Sequence, residues 1–169
     1  MKCLLRALVA FILISIVPMV VQAEEVKYNH KSITISEIKE EVDFNVLSPK
    51  QVPDDWTLEI KTYPSGENDI ISNFRLHYMD KNDKYLMVGI EEREATSKGI
   101  EAKKLNAEEI NINGNIAYFQ GWANEGELDS KSKEITGGKL SWVQEGTCIE
   151  MDSSNITKDK MIEIARSMK

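Results

Sequence analysis

The chain has little of what active sites are usually made from: two histidines and two cysteines among 169 residues. No C-x-x-C, H-E-x-x-H or G-x-S-x-G pattern occurs in it, and no glycine loop of the phosphate-cradling kind. A zinc centre, a nucleophile elbow and a nucleotide site therefore have no motif to stand on. His30 falls in a polar stretch and His77 on the polar side of a strand, neither with a partner at ligand or triad spacing. Positive charge is short as well, since 21 Lys and Arg against 28 Asp and Glu give a net charge of -7. Nucleic acid and anionic lipid headgroups both need a basic face, so the acidic balance argues against binding either through bulk charge and leaves only a local basic patch open; no nucleic acid partner is expected.

Long apolar runs are missing except at the start. Lys2 and Arg6 precede an apolar stretch from Ala7 to Val17, which continues as Met19-Val20-Val21 after Pro18. A helix needs about 20 apolar residues to cross a bilayer, and this run is shorter and interrupted by the proline. Its exit, Val21-Gln22-Ala23 ahead of Glu24-Glu25, offers the small residues that a signal peptidase reads. The expectation is a signal peptide over residues 1–23, cleaved after Ala23, and a secreted or extracytoplasmic product. The alternative is an uncleaved anchor over residues 4–23 that ties the domain to the outer face of the membrane, the one case in which a membrane is a partner. Lipidation needs a cysteine at the end of such a run, and Cys3 lies at its start. Cleavage would take away Cys3, Lys2 and Arg6, leaving a mature chain of about 146 residues with a net charge of about -9. Cys148 would then have no internal bridge partner, and burial is the usual state of such a thiol. That length supports one hydrophobic core without disulfide staples.

Residues 24–31 are polar and aperiodic and read as a solvated tether, with a single domain over residues 32–169. Thr34-Ile35-Ser36-Glu37 has capping-box spacing between Ile33 and Ile38, which predicts a short helix over residues 35–42. Val42 to Leu47 alternates and reads as a strand running into an extended connection fixed by Pro49 and Pro53. Trp56, Leu58 and Ile60 recur at period two, as do Phe74, Leu76 and Tyr78 in a longer strand from Ile70 to Met79. Asp80 to Asp83 closes a hairpin, and Lys84 to Glu92 returns with apolar residues on both faces, which suits an interior strand. Residues 93–107 are charged and read as a loop or a poor helix. Asn113-Gly114 is a hairpin signal because both central residues of that turn need positive φ. It joins a strand through Ile110 and Ile112 to one from Ile116 to Ala123 that carries Tyr118 and Phe119 on opposite faces. A polar excursion from Gly126 to Gly138 follows, then a hairpin about Glu145-Gly146 that pairs Trp142 with Ile149 and Val143 with Cys148. Thr157 begins the last helix, whose stripe is Met161, Ile164, Ala165 and Met168. The fold class is α+β: a curved antiparallel sheet of hairpin-connected strands, packed by a C-terminal helix, with a short N-terminal helix.

Three carboxylate pairs, Asp54-Asp55, Glu91-Glu92 and Glu108-Glu109, are candidates for acid–base or calcium chemistry. Adjacent strand residues point to opposite faces, so these pairs read as solvated surface in an acidic chain. No cofactor, metal or catalytic residue is expected. The aromatic residues Trp56, Tyr78, Tyr118 and Trp122 are the candidates for a ligand groove on the sheet, with core packing as the plainer alternative. Asn155-Ile156-Thr157 matches a glycosylation acceptor, but a helix start requires the same residues.

Read together, several short stretches are similar to one family. They are Pro49-Lys50-Gln51-Val52-Pro53-Asp54-Asp55-Trp56, Leu76-His77-Tyr78, Gly114-Asn115-Ile116-Ala117-Tyr118, Leu140-Ser141-Trp142 with Gly146-Thr147-Cys148, and Ile164-Ala165-Arg166-Ser167-Met168. The chain resembles an uncharacterised extracytoplasmic domain family of Gram-positive bacteria, often the C-terminal outer half of membrane-anchored proteins of the anti-sigma or sporulation type. Against the larger members, it is expected to lack the cytoplasmic sigma-binding domain that they carry before the apolar segment. The resemblance brings no catalytic residues with it. The expected function is an exported, non-catalytic binding or sensory module that meets an envelope protein, a peptide or a lipophilic ligand. A structural or assembly role in the envelope or spore, and a hydrolase or metal-dependent enzyme using His77 and scattered carboxylates, are the alternatives.

Overall fold

Period-two alternation builds the molecule, because strand residues point alternately to a core side and an outer side, and the outer side is open over only part of the sheet. In the computed structural model, residues 26–29, 32–65, 70–96 and 106–169 are described. The expected signal peptide, His30, most of the turn after Ser65 and most of the charged stretch before Asn106 lie outside them. The elements are α1 (Ile35–Glu41), β1 (Thr57–Tyr63), β2 (Asn73–Met79), β3 (Leu86–Glu94), β4 (Glu108–Ile112), β5 (Asn115–Gly121), β6 (Gly138–Gln144), β7 (Thr147–Ser153) and α2 (Lys158–Arg166).

The strands form one open sheet in the order β1-β2-β3-β7-β6-β5-β4. Two antiparallel meanders are thus joined where β3 meets β7, also antiparallel. After β3 the chain travels to the far edge to begin β4 and then folds back toward β3, which leaves β3 and β7 in the interior. The α+β class with a C-terminal helix and a short N-terminal helix holds.

Both tight hairpins follow their turn chemistry. Asn113 and Gly114 have φ of 52° and 90°, and Glu145 and Gly146 have 51° and 83°, the left-handed pair that matches the twist of the flanking strands. The second turn sets Trp142 opposite Ile149 and Val143 opposite Cys148. Since paired residues share a face, Cys148 lies on the side of the sheet away from Trp142.

One face carries the core. Leu58, Ile60, Phe74, Leu76, Tyr78, Val88, Ile90, Ile149, Met151, Leu140, Trp142, Phe119, Ala117 and Ile112 form a continuous apolar layer. Upon it sit Ile38 of α1 and Met161, Ile164 and Ala165 of α2, followed by Met168. Thr34 caps α1 by accepting from the Glu37 amide at 3.2 Å, while the Glu37 carboxylate accepts from the Thr34 amide at 2.8 Å. The hydrogen bonds from Thr34 hold the Glu37 carboxyl below its usual range. Thr157 accepts from the Lys160 amide in the same manner at the start of α2.

Two segments differ from expectation. Val42 to Leu47 is not a strand. It crosses the core face as a strap with Val46 and Leu47 buried, because its polar groups find partners on several elements instead of one sheet edge. Leu47 N–H donates to Glu92 at 3.0 Å, the Asn45 side chain donates to Glu145 O at 2.7 Å, and Thr147 donates to Asn45 O. The strap then meets the C-terminus, with Ser48 and Lys169 exchanging backbone hydrogen bonds of 3.1 and 3.2 Å. The second difference is in the stretch read as a tether. Lys27 to Asn29 runs parallel to β1, with Leu58 N–H donating to Lys27 O and Asn29 N–H to Leu58 O, both at 2.8 Å. Tyr28 packs on the core and its hydroxyl accepts from the Ile35 amide. An edge strand has unpaired amides to offer, and this short polar stretch uses them.

Candidate functional site: the polar face of the sheet

The side of the sheet away from the helices is charged. Strand register places its residues in rows that run across the sheet. One row is Glu59, His77, Gly89, Asp152 and Lys139, and the next is Lys61, Arg75, Glu91, Glu150 and Ser141. Glu59, Arg75, His77, Glu91, Arg93, Glu150 and Asp152 are all half-buried, so this is a surface partly withdrawn from water and not a row of fully solvated charges. Toward β5 and β6 the same side is closed, with Tyr118, Ser141 and Cys148 buried.

Ion pairs stitch the rows. Arg75 Nη2 meets Asp152 Oδ1 at 2.6 Å, Arg93 meets Glu150 at 3.1 Å, Lys139 meets the other oxygen of Glu150 at 3.3 Å, and Lys61 meets Glu59 at 3.6 Å. The pair between Arg75 and Asp152 spans three strands, from β2 over β3 to β7, and Gly89 makes this possible. A Cβ on Gly89 would stand 2.3 Å from Arg75 Nη2 and 2.9 Å from both its Cζ and Nε. The guanidinium thus occupies the space where any other residue would carry its side chain. Glycine weakens the interior of a strand, so its position at the centre of the sheet is explained by the side chain laid across it.

His77 is the neighbour of Gly89 in that row. Burial lowers its pKa first, the cations Arg75 and Lys61 lower it further, and Glu59 and Asp152 oppose them. The ring is therefore neutral at pH 7, able to donate at one nitrogen and accept at the other. Among the described residues no three His, Cys, Asp or Glu side chains are grouped to hold a metal ion.

Glu92 corrects the reading of the carboxylate pairs. Glu91 faces the polar side, but Glu92 follows Val88 and Ile90 on the core face and has no solvent exposure. One oxygen accepts the Leu47 amide, while Oε1 has no partner among the described residues. Burial pushes its pKa up to about 8, against smaller lowering effects of the Leu47 hydrogen bond and Lys39. The sequence held the signal for this: the period of two that made Val88 and Ile90 core residues includes Glu92. Asp54, Asp55, Glu108 and Glu109 are exposed.

The four aromatic candidates do not come together. Trp56 and Tyr78 meet on the core side, ring centroids 6.5 Å apart and tilted by 45°, and Tyr78 is 2% exposed. Its hydroxyl is held well above the ordinary tyrosine range, chiefly by burial. Tyr118 lies on the polar side with Phe119 behind it on the core side. Trp122 follows β5 and donates its indole N–H to Ser153 O at 2.6 Å. Asn155, the possible glycan acceptor, is half-buried and donates its side-chain amide to Leu86 O at 2.9 Å.

A family model described as a domain of unknown function, DUF4367, matches residues 46–168. The chain belongs to the DUF4367 family. The match starts at Val46 in the strap and ends at Met168, so it takes in the whole sheet, α2 and every residue of the polar face described above. It leaves out α1, which lies outside the DUF4367 region although Ile38 is part of the core. No curated protein and no solved structure matches the chain. Among the described residues no helix is long and apolar enough to cross a membrane.

Proposed function

We propose that this DUF4367 chain is exported and serves the cell envelope as a non-catalytic binding module, with the β1–β3 part of its polar face as the contact surface. The observation that carries the reading is the placement of Arg75 over Gly89 against Asp152. A glycine in an interior strand weakens the sheet, and the arrangement it permits fixes one guanidinium in an otherwise solvent-facing surface. On the core face, by contrast, lie α1, the strap and α2. A charged face suits a protein or peptide partner better than a lipophilic one, since ion pairs and neutral imidazole are satisfied by polar groups across an interface.

Site-specific photo-crosslinking in cells tests the surface. A photoreactive residue at Glu59 of β1 or Glu91 of β3 should capture a defined partner, whereas one at Glu40 of α1 or Glu163 of α2 should not. Capture from the helices alone, or from neither set, would reject the polar face. Fractionation with N-terminal sequencing tests export separately: an extracytoplasmic product beginning at Glu24 is expected, and a full-length cytoplasmic product overturns that part.

A further inference from the structure

We infer that the surface around Arg75, His77 and Lys61 is a recognition site for a carboxylate group of the partner. The inference deepens the polar-face reading and rests on it. Arg75 gives Asp152 one terminal nitrogen, Nη2, and no acceptor among the described residues takes Nε or Nη1. A guanidinium has five N–H donors in one plane, so the others remain to be satisfied. They are held in place: the group fills the space above Gly89, Asp152 fixes its far edge, and the side chain is 23% exposed. An arginine fork already oriented in this way loses less freedom on binding than a mobile one.

Neighbours complete the site. Lys61 stands directly across from Arg75 on β1, and His77 is two residue pairs further along the same two strands, on the same face, opposite Glu59. Both Arg75 and Lys61 lie close enough to depress the imidazole's basicity. The neutral ring has no hydrogen-bond partner of its own among the described residues and offers an N–H donor beside the guanidinium edge.

Charge balance selects the ligand class. Arg75 and Lys61 are offset by Asp152 and Glu59, and Glu91 stands opposite Arg75 on β3, so with His77 neutral these six side chains carry one net negative formal charge. Bulk attraction is therefore weak, and recognition depends on directed donors that match a planar group. A carboxylate fits a guanidinium edge with two parallel hydrogen bonds. A phosphate dianion brings a second charge beside Asp152 and Glu59 and is disfavoured.

His77 supplies the readout, because an anion seated beside it stabilises the imidazolium and raises the ring pKa. Protein purified from cells expressing the full chain is titrated by NMR on the His77 ring resonances, with acetate, inorganic phosphate and chloride at matched ionic strength. Acetate should shift the His77 pKa upward in a saturable manner, and phosphate should act more weakly. Arg75→Ala should weaken acetate binding about tenfold or more, and Arg75→Lys, which keeps the charge but loses the fork, should weaken it nearly as much. Lys61→Ala, at an exposed position, tests the site if the Arg75 variants do not fold, and should weaken binding while the fold is intact. Equal responses to acetate and chloride, stronger binding of phosphate than acetate, or an unchanged affinity in a folded Arg75 or Lys61 variant would overturn the inference. A negative titration together with crosslinking from Glu59 would reject the carboxylate site and keep the polar-face reading. Failure of the crosslinking with a positive titration would reject the polar face as a partner surface and reduce the site to one for small carboxylates, overturning the inference as stated.

Discussion

Replacing Glu92 by glutamine should stabilise the protein, and the gain should grow with pH. Glu92 has no solvent exposure, and its pKa is pushed up to about 8 against an ordinary value of 4.5. In the unfolded chain the carboxyl ionises near its ordinary value, so folding at neutral pH requires it to take up a proton or to bury a charge. Each unit between the two pKa values is worth about 1.4 kcal/mol, which puts the penalty at pH 7 at about 3 kcal/mol. Below the unfolded value the group is protonated in both states and the penalty vanishes. Above the folded value it levels off at about 5 kcal/mol.

Glutamine keeps the shape and keeps an oxygen for the Leu47 amide. It leaves an N–H group where Oε1 now stands unpartnered. A protonated Glu92 has an unpartnered O–H of the same kind, so this loss of about 1–3 kcal/mol is largely common to both proteins. The assay is urea unfolding of wild type and Glu92→Gln, followed by fluorescence of the buried Trp142, at about pH 5, 7 and 8.5. The difference between the proteins is the quantity to read, since other titrating groups appear in both and cancel. It should be under about 1 kcal/mol at pH 5 and rise to about 2–3 kcal/mol in favour of glutamine at pH 7. A difference that is independent of pH, or that favours glutamate as pH rises, would refute the buried-carboxyl reasoning.

Two further changes test other parts of the fold. Gly89→Ala puts a Cβ 2.3 Å from Arg75 Nη2, so the guanidinium must leave Asp152, at about 1 kcal/mol for a half-exposed pair; in an Arg75→Ala background the same substitution should be nearly neutral, a coupling that a double-mutant cycle by urea unfolding measures. Gly114→Ala meets no atom within 4 Å but must hold φ of 90°, so thermal unfolding should show a loss of about 1–2 kcal/mol from the backbone alone.

The parts of this fold that could be read from the sequence are those set by local chemistry. Thr34 and Glu37, Thr157, Asn113-Gly114 and Glu145-Gly146 each specify a geometry within a few residues, and the structure has each of them. The alternation of Phe74, Leu76 and Tyr78 likewise fixes a face without reference to any other strand. What local chemistry leaves open is the identity of a neighbour. Val42 to Leu47 alternates as a strand would, but whether its amides meet a sheet edge or a carboxylate depends on Glu92, which is 45 residues away from Leu47. Lys27 to Asn29 looks solvated because its sequence carries no sign of the β1 edge that it joins. The order of the strands, with β3 beside β7, is also a long-range outcome.

The same distinction applies to the aromatic residues. Large apolar rings stand out in a sequence, yet a sheet with one covered face uses them mainly as core: Tyr78 and Trp142 are among the largest fully buried side chains. The polar face is built from residue types that look like ordinary surface one at a time. Arg75, Gly89 and Asp152 acquire meaning through register, which aligns three strands so that a missing side chain on the middle one lets the outer two join. Glu91 and Glu92 make the point within a single dipeptide. One lies on the polar face opposite Arg75 and Glu150, and the other is buried opposite Phe74 and Ile149. Helices and strap lie on the core face, and the proposed contact surface is the other side, where Glu91 points.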